Sequence, residues 1–88
     1  MPESIDQKTL EVHVRYFASL RDHAGKAAET LLCAHKRPFD VYSELKSRYA
    51  FTLAANELRV AINGKFSAME DRIQDGDELV FIPPVSGG

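Results

Sequence analysis

At 88 residues the chain has room for one domain with a single modest core, and not for two. Its composition, 44% hydrophobic and 27% charged, is that of an ordinary globular protein, and a net charge of −2 gives no electrostatic reason to expect nucleic acid or anionic membrane as a partner. The lone cysteine, Cys33, excludes an intrachain disulfide and a multi-cysteine metal site, and no run approaches the roughly 20 apolar residues of a membrane span.

Residues 1–9 are polar and read as a loose leader without the apolar core of a signal peptide, so a reducing, cytoplasmic setting is the default. From Leu10 to Ala18 the pattern alternates. Leu10, Val12, Val14 and Tyr16 fall on one side and Glu11, His13, Arg15 and Phe17 on the other, which predicts a half-buried strand. Ser19 is placed to cap a helix of one or two turns that Gly25 would close. A second strand follows over Glu29 to Ala34. Pro38-Phe39-Asp40 opens the main helix, with Asp40 as its cap and Val41, Leu45 and Tyr49 recurring at i, i+4, i+8 beside Tyr42.

After that helix, which should end at Tyr49 or Ala50, an irregular stretch runs through Asn56. Leu58 to Ile62 is a third strand. Asn63-Gly64 is the strongest hairpin signal in the chain, because a type I′ turn needs positive φ at both central residues. Lys65 and Phe66 begin a short return strand, Asp71 to Gln74 is irregular, and Asp75-Gly76-Asp77 turns into a last strand, Glu78 to Ile82. One long helix among five strands predicts an α+β fold of two layers, a mixed sheet packed on that helix. Its first and last strands could lie side by side at the centre, as in a ubiquitin-like β-grasp.

The side chains offer no self-contained active site. His13, His23 and His35 lack metal-ligand spacing and read as surface histidines. Cys33, in an apolar strand without a neighbouring base, reads as a buried, inert thiol. Asp71, Asp75, Asp77 and Glu78 read as turn formers. A sheet with one helix has only one face covered, however. Phe17, Phe66 and either Val80 or Ile82 would share the other face and form an exposed apolar patch of the kind that marks a partner surface.

The chain ends Phe81-Ile82-Pro83-Pro84-Val85-Ser86-Gly87-Gly88. Pro83 and Pro84 stop the strand and favour a stiff, extended spacer, so residues 83–88 form a tail set off from the domain over 10–82. Val85 offers an apolar foothold and Ser86 a small polar one. Gly87 and Gly88 leave bare backbone, able to enter a channel too narrow for a side chain and to present a free carboxylate there.

The segments Val14-Arg15-Tyr16-Phe17-Ala18-Ser19-Leu20-Arg21, Val60-Ala61-Ile62-Asn63 and Asp75 through Gly88 together resemble the small subunits of molybdopterin synthase, sulfur carriers of molybdenum cofactor biosynthesis. The resemblance covers nearly everything from Leu10 onward; the leader is longer than is usual for the family, and the segment from Ala50 to Leu58 matches poorly. It implies a β-grasp fold and a cycle in which an ATP-dependent activating enzyme adenylylates the Gly88 carboxylate. Sulfur from a persulfide donor then replaces AMP to give a thiocarboxylate. The tail would enter the large subunit of the synthase, in a heterotetramer with two of each subunit, and yield its sulfur to a cyclic pyranopterin precursor. Gly87 would provide clearance. Phe17, Phe66, Ile82 and the tail residues Pro83, Pro84, Val85 and Ser86 would contact the partners, with Arg21 as a polar contact. No bound cofactor or metal is implied, and the isolated chain would not be an enzyme.

Two other readings fit the same residues. One is a Gly-Gly sulfur carrier for thiamine, cysteine or tRNA thiolation, or a ubiquitin-like modifier. The other is a β-grasp adaptor that binds partners without covalent chemistry.

Overall fold

The computed structural model describes residues 9–84; residues 1–8 and the last four residues, Val85, Ser86, Gly87 and Gly88, lie outside it. The elements in chain order are β1 (Leu10–Tyr16), α1 (Ala18–Ala24), β2 (Ala28–Cys33), α2 (Pro38–Tyr49), a single 3₁₀ turn (Ala55–Glu57), β3 (Arg59–Ile62), β4 (Lys65–Ser67) and β5 (Glu78–Ile82). The strands form one mixed sheet in the order β2-β1-β5-β3-β4. The first and last strands are neighbours at its centre and run parallel, with Val14 opposite Leu79 and Tyr16 opposite Phe81. All other pairings are antiparallel.

The alternation read along β1 is what buries it. Leu10, Val12, Val14 and Tyr16 are at most 7% exposed, and the residues between them face solvent. Against that face α2 packs Val41, Tyr42 and Leu45. Leu79 and Phe81 of β5 and Val60 of β3 complete the core. Each fully buried aliphatic or aromatic side chain contributes about 1.5–3 kcal/mol by leaving water. Phe51, which the sequence places in an irregular stretch, joins this core and stacks on Tyr42 with ring centroids 5.8 Å apart. It arrives there because α2 ends in a left-handed turn at Ala50 (φ 58°), with the Phe51 N–H donating back to the Lys46 carbonyl at 3.1 Å.

Several boundaries differ from the expected ones. β1 stops at Tyr16 rather than Ala18, because Phe17 is the extended cap of α1 and Ala18 takes a positive φ of 52° that turns the chain out of the sheet. Ser19 therefore lies inside α1 and does not cap it, while Gly25 closes the helix as expected at φ 76°. β2 spans Ala28–Cys33 instead of Glu29 to Ala34. Asp40 does not cap α2. Arg37 holds the cap position with no side-chain bond, since Pro38 takes the first helical place, where it has no N–H to satisfy. Asp40 sits in the first turn, favourable to the helix dipole. The stretch read as irregular through Asn56 ends in the 3₁₀ turn, at which the Ala54 N–H donates to Glu57 Oε2 at 2.9 Å.

The Asn63-Gly64 turn has the expected paired positive φ values, 52° and 86°. Asn63 also ties the turn to β5. Its Nδ2 donates to Asp77 Oδ1 at 2.9 Å and its Oδ1 accepts from the Glu78 N–H at 2.9 Å. Asp75 accepts from the Glu11 N–H at 2.7 Å, and the Asp77 carboxylate also accepts from the Gln74 N–H at 2.8 Å. These carboxylates are engaged by backbone donors that would otherwise be unpaired. The result fixes the entry of β5, and through it the line along which the chain leaves the domain.

Candidate functional site

The sheet has two unlike faces. On the face away from α2, β4 Phe66 stands opposite β3 Ala61, Ala61 opposite β5 Val80, and Val80 opposite β1 Arg15. One step along, Ile82 of β5 stands opposite Arg59. The extended backbone at Phe17 carries the β1 alternation one residue further onto this face. Val80 and Ile82, two apart on β5, both belong to the patch, where the sequence left a choice between them. Both are half-buried, whereas Phe17 is 43% and Phe66 69% exposed. The Arg59 guanidinium lies over the Phe66 ring, 5.5 Å from its centroid, and a cavity of about 300 Å³ opens alongside, lined by Arg59, Phe66, Ser67 and Met69 among others.

The end of β5 borders this patch. Pro83 is half-buried and Pro84 exposed, and neither is in a strand. The sheet ladder therefore stops where the prolines remove its donors. The reading of Val85, Ser86, Gly87 and Gly88 as a tail rests on the sequence, since those residues lie outside the described part. Arg21 is exposed on α1, and its carbonyl accepts the Gly25 N–H at 2.9 Å.

Other candidate groups have local partners. His13 shares a 2.9 Å hydrogen bond with the Thr30 hydroxyl, His23 with the Ser19 carbonyl, and His35 a 2.8 Å contact with Glu44. They lie on β1, α1 and the β2–α2 link, and so do not converge. Cys33 is half-buried rather than buried, on the core side of β2. Burial pushes its thiol up, leaving less of the nucleophilic thiolate.

One polar cluster was not foreseen. Glu29 of β2 accepts hydrogen bonds from the hydroxyls of Tyr16 and Tyr49, the latter at 2.7 Å, with Lys26 Nζ 3.5 Å from its other oxygen. Burial alone would raise the Glu29 carboxyl, but the two tyrosine donors and Lys26 outweigh it and hold the carboxyl below its usual range. Tyr16 moves up, chiefly from burial and then from Glu29. The cluster pins β2 to α2 on the core side, away from the patch. The signal for it, two tyrosines and a glutamate distant in sequence, becomes visible only after folding.

A mixed sheet with parallel central strands and one long helix across it defines a ubiquitin-like β-grasp protein. The model of the ThiS family matches residues 14–88, and the chain belongs to that family. It is 32% identical over 87 residues to the molybdopterin synthase sulfur carrier subunit of Drosophila melanogaster, covering 94% of this chain and 97% of the relative. It is 30% identical over 80 residues to the protein of that name in Haemophilus influenzae, covering 88% and 99%. Among solved structures, the small archaeal modifier protein 1 of Methanosarcina acetivorans superposes with a TM-score of 0.73 at 27% identity, over 92% of this chain and 99% of that one.

Proposed function

We propose that the chain is the sulfur carrier subunit of a molybdopterin synthase and that its reactive group is the Gly88 carboxylate. The observation that carries this reading is the juxtaposition at the end of β5. An apolar sheet face unused by the core borders the prolines that lead into Val85-Ser86-Gly87-Gly88. The names borne by relatives similar along almost the whole chain support the same reading.

The chemistry follows from what a carboxylate lacks. It is a poor electrophile and must gain a leaving group before sulfur can attack its carbon. In this reading an activating enzyme joins the Gly88 carboxylate to AMP at the expense of ATP, releasing pyrophosphate. The terminal sulfur of a persulfide donor then attacks the acyl carbon and displaces AMP. A second thiol cleaves the resulting acyl disulfide, forming a disulfide with the donor's inner sulfur and leaving a thiocarboxylate. The loaded tail enters the large synthase subunit, where Gly87 clears a narrow channel and the sulfur attacks the bound pyranopterin precursor. Rate acceleration comes from the partner's positioning of both reactants. Phe17, Phe66 and Ile82 dock the carrier, Pro83 and Pro84 hold the tail off the domain, and Val85 and Ser86 line its passage. The working assembly has two small and two large subunits. The setting is the cytoplasm.

Complementation tests the reading. In cells lacking the small subunit of molybdopterin synthase, the full chain restores molybdoenzyme activity and a chain without Gly88 does not. Failure of the full chain, expressed and folded, overturns the molybdenum assignment. The likeness to an archaeal modifier protein favours one second reading, in which the same activated carboxylate forms isopeptide bonds with lysines. That reading predicts covalent conjugates of higher mass in cells expressing the chain, and the carrier reading predicts none.

A further inference from the structure

The two edges of the sheet are managed differently. β4 is three residues long, too short to template another strand, and the Asn63-Gly64 turn limits it further. β2 is six residues long, and among the described residues no strand lies beyond it. It has no proline, glycine or lysine, the usual devices that discourage edge pairing. Its one charge, Glu29, is turned towards α2 and engaged by Tyr16, Tyr49 and Lys26. On the opposite face of the strand Leu32 is 74% exposed, more than Phe66, Phe39 or Phe17.

The register shows which backbone groups of β2 are free. The Tyr16 N–H donates to the Ala27 carbonyl at 2.9 Å. With Val14 opposite Glu29 and Val12 opposite Leu31, the antiparallel pattern directs the N–H and C=O groups of Glu29, Leu31 and Cys33 to β1. Those of Ala28, Thr30 and Leu32 therefore point out of the sheet.

We propose that β2 pairs antiparallel with β2 of a second copy of this chain, joining two sheets about a twofold axis at Thr30. The sequence of the strand selects this occupant and this register. With Thr30 opposite the partner's Thr30, Ala28 and Leu32 stand opposite the partner's Leu32 and Ala28. All three outward-pointing residues then form hydrogen-bonded pairs, about two bonds in each. Leu32 packs over the small side chain of the partner's Ala28, and the central threonines make a favourable cross-strand pair. Sliding by two residues in one direction sets Glu29 against the partner's Glu29, a like-charge pair, and in the other leaves only two such hydrogen-bonded pairs within the strands. The contact is smaller than the roughly 1,600 Å² of a standard interface, so the dimer is weak and reversible. Because β1 separates β2 from β5, both patches stay free in the dimer.

Sedimentation equilibrium of the full chain from micromolar to millimolar concentration tests this. The expected mass rises from 9.8 kDa towards twice that value. Thr30→Pro removes an N–H that bonds nothing within the sheet and abolishes the rise. Leu32→Lys, at an exposed position that preserves the fold, weakens association by at least about tenfold. Amide NMR shifts that depend on concentration fall on Ala28, Thr30, Leu32 and their neighbours. A chain that stays monomeric at millimolar concentration overturns the proposal. So does a dimer indifferent to Leu32→Lys, one whose shifts fall on β3 and β4, or one that forms only after removal of residues 1–9.

Discussion

The two faces of the sheet are built from similar residues and do different work. On the helix side Tyr16, Tyr42, Phe51 and Phe81 are at most 4% exposed and touch one another, with Tyr42 and Phe81 centroids 5.3 Å apart. On the other side Phe17 is 43% and Phe66 69% exposed. An aromatic side chain stabilises the fold only to the extent that it leaves water, so the second face contributes little to folding. In the proposed function it is the surface that a partner docks on, beside the point where Pro83 and Pro84 leave β5.

The largest expected break in this contrast is Phe81→Ala. It deletes a fully buried ring and should cost about 3–5 kcal/mol, a large share of the stability of so small a domain. Chemical denaturation reads the loss directly. Glu29→Gln should cost about 1–3 kcal/mol, because two buried-side hydroxyls lose a charged acceptor. The sign of its pH dependence follows from the depressed carboxyl. The stabilisation is fully present above the unfolded pKa, about 4.3, and is lost as pH falls through the lower folded value. The stability gap between wild type and Glu29→Gln should therefore narrow below about pH 4.

Much of the helix-side face was legible because burial there imposes a period of two on β1 and of 3.6 on α2, and Asn63-Gly64 marks its own turn. The caps were not legible. Ser19 and Asp40 are good capping residues, yet chain direction at Phe17-Ala18 and the proline at the first helical position decided those boundaries. Phe51 looked like a loop residue because what buries it is a left-handed alanine, which no local pattern announces. The patch could be read by exclusion, since one helix covers one face. Leu32 escaped notice because Leu31 and Leu32 look alike in a strand until the register assigns them opposite faces.

Smaller effects sharpen the same comparison. Ala50→Gly relieves a left-handed backbone at an exposed helix end and should stabilise the domain by about 0.5–1 kcal/mol, visible as a rise in Tm of a few degrees. Phe66→Ala should change stability by less than about 0.5 kcal/mol, since that ring is already in water. It should nevertheless weaken binding to a synthase large subunit by about tenfold or more, as loss of an aromatic anchor does. Calorimetry measures both.

Intact mass of the chain after incubation with an activating enzyme, ATP and a sulfur donor is the most direct measurement. Wild type should exchange one terminal oxygen for sulfur, and Phe66→Asp, with an unchanged Tm, should exchange it far more slowly. No exchange in wild type would contradict a reactive main-chain terminus, and equal exchange in both would contradict docking through the open sheet face.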